Sequence, residues 1–159
     1  MTTSKMTTEQ QTQALHVIGL ELRTSNQQAF STIPAHWRRF TEEAVLQRLA
    51  GRIGEEVYAV YTHFEHAGRN NEGLYSLVIG AAMPAGAEVP AGLTRVVAPA
   101  SARAVFPVEA GRFDLVGPAW QEIWQRRELR KTYVADYERY RADGAIEICI
   151  GIEPGAAAA

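Results

Sequence analysis

The chain has 159 residues, of which 47% are hydrophobic and 21% charged, values that suit one globular domain with a real core. Sixteen basic and eighteen acidic residues give a net charge of −2 without a long basic run, which argues against direct DNA binding because that depends on clustered cations. The single cysteine excludes an internal disulfide framework, and no apolar run reaches the ~18 residues that a membrane span requires.

The two ends of the chain differ in composition from the rest. Residues 1–13 are polar, rich in Thr and Gln, and lack the apolar segment of a signal peptide. We therefore expect a flexible N-terminal tail and a cytoplasmic protein. Residues 154–159, mostly Ala, predict a flexible C-terminal tail. A single domain is expected over 14–153, with halves of about 14–84 and 91–153.

The first half predicts a strand, a helix and two further strands. The helix begins at Ile33-Pro34, because the hydrogen bond that proline cannot make is unused in a first turn, and it ends at Gly51 and Gly54. The predicted strands, rich in β-branched and aromatic residues, are 17–23, 57–64 and 74–82.

The second half follows a loop at 84–90 that is rich in Pro, Gly and Ala. Its predicted helix covers 114–130, with Gly117-Pro118 setting the true first turn. Its predicted strands are 93–97, 102–108 and 145–152, and the Glu138 segment (136–140) follows the helix before the last of them. Each half therefore reads roughly strand–helix–strand–strand. Since no Gly-rich phosphate loop occurs, and helices lying on one side of mainly antiparallel strands are expected, the predicted fold class is α+β.

One pattern occurs in both halves and indicates a duplicated unit. Glu65 lies 15 residues before the strand glycine Gly80 (80 − 65), and Glu138 lies 13 residues before Gly151 (151 − 138). We interpret these copies as two β-α-β-β units that face each other across a cleft, with Glu65 as the counterpart of Glu138.

Glu138 is the main candidate for a functional residue. A carboxylate set among Tyr137, Tyr140 and Trp120 is costly to bury unpaired, which favours a ligand cation as its partner. Aromatic faces would add about 0.5–2 kcal/mol each for such a guest. The alternative is a structural ion pair with a nearby arginine such as Arg139, because buried acids are usually paired inside proteins.

Strand alternation assigns further aromatic residues to one face or the other. It places Tyr61 on the face opposite to Tyr58 and Phe64. We therefore nominate Tyr61 and Tyr75 for the cleft, although some of these aromatics must belong to the core.

Three other residues are candidates for the cleft. Trp37 and Trp120 hold comparable positions in the two predicted helices, where each either walls a pocket or packs in the core. Glu147 alternates with isoleucines, so its strand face is either pocket or solvent. The histidines lack metal-site spacing, and we predict neither a metal nor a cofactor.

At these segments the chain resembles the GyrI-like small-molecule-binding domain, the effector-binding domain of AraC- and MerR-type bacterial regulators. The matching segments, which span most of the chain, are IPAHWRRF (33–40), YAVYTHFE (58–65), LYSLVIG (74–80), AVF (104–106), WQEIW (120–124), DYERY (136–140) and IEICIGI (146–152). The resemblance implies a pseudo-two-fold pair of β-α-β-β units around a ligand cleft. It also implies that Glu138 is the charge partner of amphipathic, aromatic, cationic ligands.

The resemblance leaves three functions open. The first is a stand-alone protein that binds hydrophobic, cationic aromatic compounds, since only a short polar tail precedes the first predicted strand and no helix-turn-helix does. The second is a hydrolase of cyclopropane-bearing electrophiles, with Glu138 as the catalytic carboxylate. The third is a protein partner of a transcription regulator or of DNA gyrase.

Overall fold

The computed structural model describes residues 5–154 as one eight-stranded antiparallel sheet with two α-helices. In chain order the elements are β1 (Thr7–Gln11), β2 (Leu15–Ser25), α1 (Ala29–Glu42), β3 (Val57–Thr62), β4 (Leu74–Ala82), β5 (Thr94–Ala98), β6 (Ser101–Val108), α2 (Val116–Gln125), β7 (Ala135–Tyr140) and β8 (Ile146–Ile152). The predicted α+β class is confirmed. Residues 1–4 and 155–159 of the expected tails lie outside the described residues.

The strand order shows the expected duplication. It runs β1-β6-β8-β7-β3-β4-β2-β5, so that β2-α1-β3-β4 and β6-α2-β7-β8 are two equivalent units. The units meet at β3 and β7, whose antiparallel register pairs Val60 with Tyr137 near the middle of both strands. The pseudo-two-fold axis therefore passes between β3 and β7.

The two edge strands are exchanged between the units. β1 precedes the first unit but pairs with β6 of the second, and β5 precedes the second unit but pairs with β2 of the first. The expectation of a flexible tail through residue 13 is therefore wrong for 7–11, and the strand predicted at 93–97 belongs to the edge of the first half. The polar, exposed side chains of β1 are typical of an edge strand and gave no hydrophobic signal.

Helix α1 begins earlier than predicted. It starts at Ala29 and contains Pro34 within it, so the Phe30 carbonyl lacks its usual helical partner. The helix ends at Glu42, well before the predicted glycines, and Ala44 follows with a positive φ of 51°. The apolar residues Val45 and Leu49, whose spacing continues that of the helix, are fully buried beyond its end.

Helix α2 is shorter than predicted, 116–125 instead of 114–130. Pro118 lies in its first turn, as expected, where the missing N–H costs nothing. A 3₁₀ turn, Phe113–Leu115, precedes the helix and carries Phe113 out to the surface. No helix in the described part of the chain is long and apolar enough to cross a membrane.

Both helices pack on the same face of the sheet and bury separate apolar clusters. The α1 cluster contains Leu20, Phe40 and Ile79, and the α2 cluster contains Ile123 and Ile148. A third cluster, which includes Val60, Val78 and Cys149, covers the opposite face of the sheet. Tyr140 contacts both helical clusters from the central strand β7. The space between the helices thus lies over the junction of the two units.

Candidate ligand-binding site

A cavity of about 830 Å³ lies between α1 and α2 above the central strands. Its size falls in the range typical of small-molecule pockets. Its walls are mostly aromatic and aliphatic side chains. The polar and charged residues among those walls are Asn26, Asn71, Asp114, Gln121, Lys131, Asp136 and Glu138.

Glu138 lies at the floor of this cavity and is only 2% exposed. Its Oε2 accepts hydrogen bonds from the Tyr61 hydroxyl and the Trp120 indole N–H, both at 2.7 Å. Its Oε1 accepts one from the Tyr140 hydroxyl at 2.6 Å. β3, α2 and β7 each supply one of these donors, so both units hold the carboxylate in place.

The three donors that hold Glu138 are all uncharged. Within residues 5–154 no Arg, Lys or His side chain forms an ion pair with it. Burial raises the pKa of Glu138 above its usual value, while the bonds from Tyr140, Tyr61 and Trp120 act in the opposite direction. The alternative of an internal arginine partner is therefore wrong. Glu138 is a buried acid whose countercharge the described residues do not supply.

Glu147 is the one nominated residue that lies away from the cavity. It faces the other side of the sheet, where it accepts hydrogen bonds from Arg139 Nε at 2.8 Å and Arg141 Nε at 3.0 Å. The nearby arginines are thus committed to Glu147. The nomination of Glu147 for the cleft is therefore wrong. Odd- and even-numbered positions of β7 and β8 point to opposite faces, so Glu147 faces away from Glu138.

Glu65 is not the structural counterpart of Glu138. It follows β3 in a turn, whereas Glu138 lies inside β7. Its Oε1 accepts a hydrogen bond from the Leu74 N–H at 2.9 Å and closes the turn before β4. The predicted equivalence of Glu65 and Glu138 is therefore wrong, because their similar distances from a strand glycine do not correspond to equivalent positions in the two units.

The nominated aromatic residues all border the cavity. The ring of Tyr61 lies 5.1 Å from Trp120 and 5.7 Å from Tyr75, measured between centroids. Trp37 meets Tyr140 edge-to-face at 5.2 Å. Trp37 also packs on the α1 cluster and Trp120 on the α2 cluster. Trp37 and Trp120 therefore each belong to the core and to the cavity wall.

Phe64 lies on the cavity wall, although alternation predicted that it shares the face of Tyr58. His63 has a positive φ of 52°, which interrupts the strand after Thr62 and reverses the direction of Phe64. Tyr58 itself lies on the opposite face, beside Tyr137, as alternation predicted.

The structure adds wall residues that sequence reasoning did not nominate. Phe30 is 94% exposed and Phe113 66% exposed, and both border the cavity where it meets solvent. Trp124 lies one helical turn after Trp120, a spacing that would have identified it. Tyr133 comes from an irregular segment, where no periodic signal exists.

Asp136 is a second buried carboxylate on the same wall. Strand alternation places it on the face of Glu138, two residues away, so the sequence contained this signal. Its Oδ1 accepts a hydrogen bond from the Gly151 N–H at 2.7 Å and lies 4.0 Å from Arg103 Nη1. Burial raises the pKa of Asp136 to about 6, against the opposing effects of Gly151, Arg103 and Lys131.

A family model described as an integron-associated effector-binding protein (Cass2) matches residues 10–152, which is nearly the whole chain. This match confirms the expected effector-binding class. The narrower assignment to GyrI-like domains of AraC- and MerR-type regulators stays a prediction. A search of curated protein sequences found no match.

Two solved structures share the fold over almost their whole length. One is an integron cassette protein, VCH_CASS2, from the mobile metagenome of Vibrio cholerae, with 18% identity and a TM-score of 0.72, covering 93% of this chain and 95% of that one. The other is SAV2435 bound to tetraphenylphosphonium, with 16% identity and a TM-score of 0.76, covering 94% of each chain. At these identities the similarity establishes the fold alone.

Proposed function

The chain belongs to the family of integron-associated effector-binding proteins, and from this premise we propose that it binds hydrophobic, cationic aromatic small molecules in the cavity between α1 and α2. In the cell it would sense or sequester such compounds. The finer kinship with the effector domains of AraC- and MerR-type regulators belongs to the same proposal.

One observation carries the proposal: Glu138 is buried at the cavity floor with three uncharged donors, and no cation from residues 5–154 pairs with it. A carboxylate in this position is destabilised by its removal from water, so a bound cation gains its full attraction without displacing an existing ion pair. A neutral or anionic ligand of the same shape gains nothing from it. The site therefore selects for positive charge.

The walls support a ligand with aromatic groups. Trp37, Tyr61, Tyr75, Trp120 and Tyr140 surround the carboxylate, and their ring faces attract cations as well as apolar surface. SAV2435, which shares this fold, was solved with tetraphenylphosphonium, a cation with four phenyl groups. This compound is the natural first probe for the chain.

Tryptophan fluorescence gives a direct assay, because the chain contains three tryptophans and Trp37, Trp120 and Trp124 all border the cavity. Tetraphenylphosphonium and tetraphenylborate have nearly the same shape and opposite charge. We expect the cation to bind and the anion to bind far more weakly. In Glu138→Gln the affinity for the cation should fall by about thirtyfold, since loss of one member of a buried charge pair costs about 2 kcal/mol or more.

Glu147→Gln is the matched control. It removes the same charge from the next strand, on the face away from the cavity. It should bind the cation as the wild type does. Equal affinities in wild type and Glu138→Gln, with both proteins folded by circular dichroism, would reject the role of the carboxylate.

A hydrolase is the second candidate function, favoured by the raised pKa of Glu138 and the two tyrosine hydroxyls that contact it. A buried carboxylate can accept the proton of a water molecule whose oxygen bonds to an electrophilic ring carbon, while the ring C–C bond to that carbon breaks and its electron pair moves to the attached electron-withdrawing group. Incubation with a cyclopropane-bearing electrophile and mass spectrometry tests this function. A ring-opened product that depends on Glu138 supports hydrolysis, and unchanged compound rejects it.

A further inference from the structure

We propose that the cavity has a second cation-binding position at Asp136, so that its preferred ligands carry two positive centres about 7 Å apart. This inference rests on the proposed function and specifies its ligand class. Asp136 is a second buried acid on the cavity wall, and a cation bound at Glu138 leaves it without a ligand charge.

One oxygen of the Asp136 carboxyl group has no partner in the described part of the chain. The residue is 6% exposed, and its Oδ1 is bound by the Gly151 N–H. Among residues 5–154, Oδ2 has neither a hydrogen bond nor an ion pair within 4.0 Å. Three side-chain atoms in residues 5–154 lack a hydrogen-bond partner and are also fully shielded from solvent: His16 Nδ1, His36 Nδ1 and Arg52 Nε. Asp136 Oδ2 is not among them, so it is not fully shielded. Since Asp136 borders the cavity, Oδ2 is open to a ligand there.

The nearby basic residues are engaged elsewhere. The Arg103 guanidinium donates to Gln11 Oε1, the Ala135 carbonyl and the Pro99 carbonyl, and lies 4.0 Å from Oδ1. The Lys131 ammonium donates to the Arg126 carbonyl at 2.9 Å and does not reach Asp136 within ion-pair distance. Among the described residues that line the cavity, Lys131 is the one basic side chain, whereas Asp136 and Glu138 are both buried acids.

The spacing of the two acids sets the spacing of the ligand charges. Asp136 and Glu138 lie at positions i and i+2 of β7, on one face, about 7 Å apart along the strand. Burial has removed hydration from both carboxylates. A ligand with two positive centres compensates this loss at both acids, whereas a ligand with one positive centre compensates it at only one.

Two permanently charged probes separate one position from two: benzyltrimethylammonium, with one charge, and para-xylylene-bis(trimethylammonium), with two charges on a spacer of matching length. The measured quantity is the ratio of their dissociation constants by tryptophan fluorescence. In the wild type we expect the doubly charged probe to bind about tenfold more tightly. Asp136→Asn should bring the ratio close to one. Lys131→Gln, which removes the competing cation, should raise it.

The outcomes distinguish this inference from the proposed function. If the singly charged probe fails to bind, or binds equally to Glu138→Gln, the proposed function and the second position fail together. If its binding depends on Glu138 but the ratio is the same in wild type and Asp136→Asn, only the second position is overturned.

A measurement on the wild type decides the case in which Asp136→Asn does not fold. The groups around Asp136 are Arg103, Lys131, Tyr133 and Glu138, and neither probe titrates. Protonation of Glu138 weakens both probes alike and cancels in the ratio, whereas protonation of Asp136 weakens only the doubly charged probe. A ratio that falls from pH 8 to pH 5 supports the second position, and a constant ratio overturns it.

Discussion

Replacement of Asp136 by Asn should change how the stability of the protein depends on pH. Burial raises the pKa of Asp136 from 3.8 to about 6 in the folded protein. The folded state therefore holds its proton more tightly than the unfolded state does. The resulting stability is fully present below pH 3.8 and is lost as pH rises to about 6.

The size of this effect follows from the shift. A difference of about 2.2 pKa units corresponds to about 3 kcal/mol at 1.36 kcal/mol per unit. This full value is reached only well below pH 3.8. As pH falls from 7 to 4, the free energy of unfolding of the wild type, relative to that of Asp136→Asn, should therefore rise by about 2 kcal/mol. Asparagine retains an oxygen that can accept the Gly151 N–H, so the local structure is kept.

Urea denaturation followed by circular dichroism, at several pH values between 4 and 7, measures this difference. Taking the difference between two proteins cancels the titration of every group that does not interact with Asp136. Asp143→Asn, at an exposed turn position, is the control for the loss of one negative charge from the surface. If the curves of wild type and Asp136→Asn are parallel, the burial argument for Asp136 is refuted.

Three further predictions concern the site, the core and the sheet. Tyr61→Phe removes a hydrogen-bond donor from Glu138 and should raise the pKa of Glu138 further, so that tetraphenylphosphonium binding is lost at a higher pH than in the wild type. Tyr75→Phe is the control, because the Tyr75 hydroxyl donates to Asn26, and it should behave as the wild type does. Ile148→Ala, at a fully buried position under α2, should cost about 3–4 kcal/mol in urea denaturation, and a cost under 1 kcal/mol would contradict the packing. Gly80→Ala should prevent stable folding, because the new Cβ would collide with the Ile18 carbonyl oxygen, whereas Gly86→Ala, in open space, should keep the wild-type melting temperature.

The sequence was most informative where periodicity and composition agreed. The strand predicted at 74–82 coincides with β4, because a long β-branched run has few alternatives. The nomination of Glu138 rested on the cost of burying an acid among aromatics, and the structure places it at the cavity floor. The start of helix α1 differs from the prediction because Pro34 is typical of a first turn, whereas here it lies inside the helix and removes one backbone hydrogen bond.

Other parts depended on contacts that no local pattern encodes. β1 is polar and pairs with β6, some ninety residues later in the chain. Its strand conformation therefore depends on a long-range pairing that no local sequence pattern indicates. Phe30, Phe113 and Lys131 reach the cavity from helix ends and irregular segments. Asp136 is predictable from the sequence, since alternation from Glu138 places it on the same face.

A crystal structure of the protein with tetraphenylphosphonium bound tests the central claim most directly. The account predicts the cation between α1 and α2, with its positive centre beside the Glu138 carboxylate and its phenyl groups against Tyr61 and Trp120. A cation bound elsewhere on the surface, with the cavity filled only by water, would contradict it.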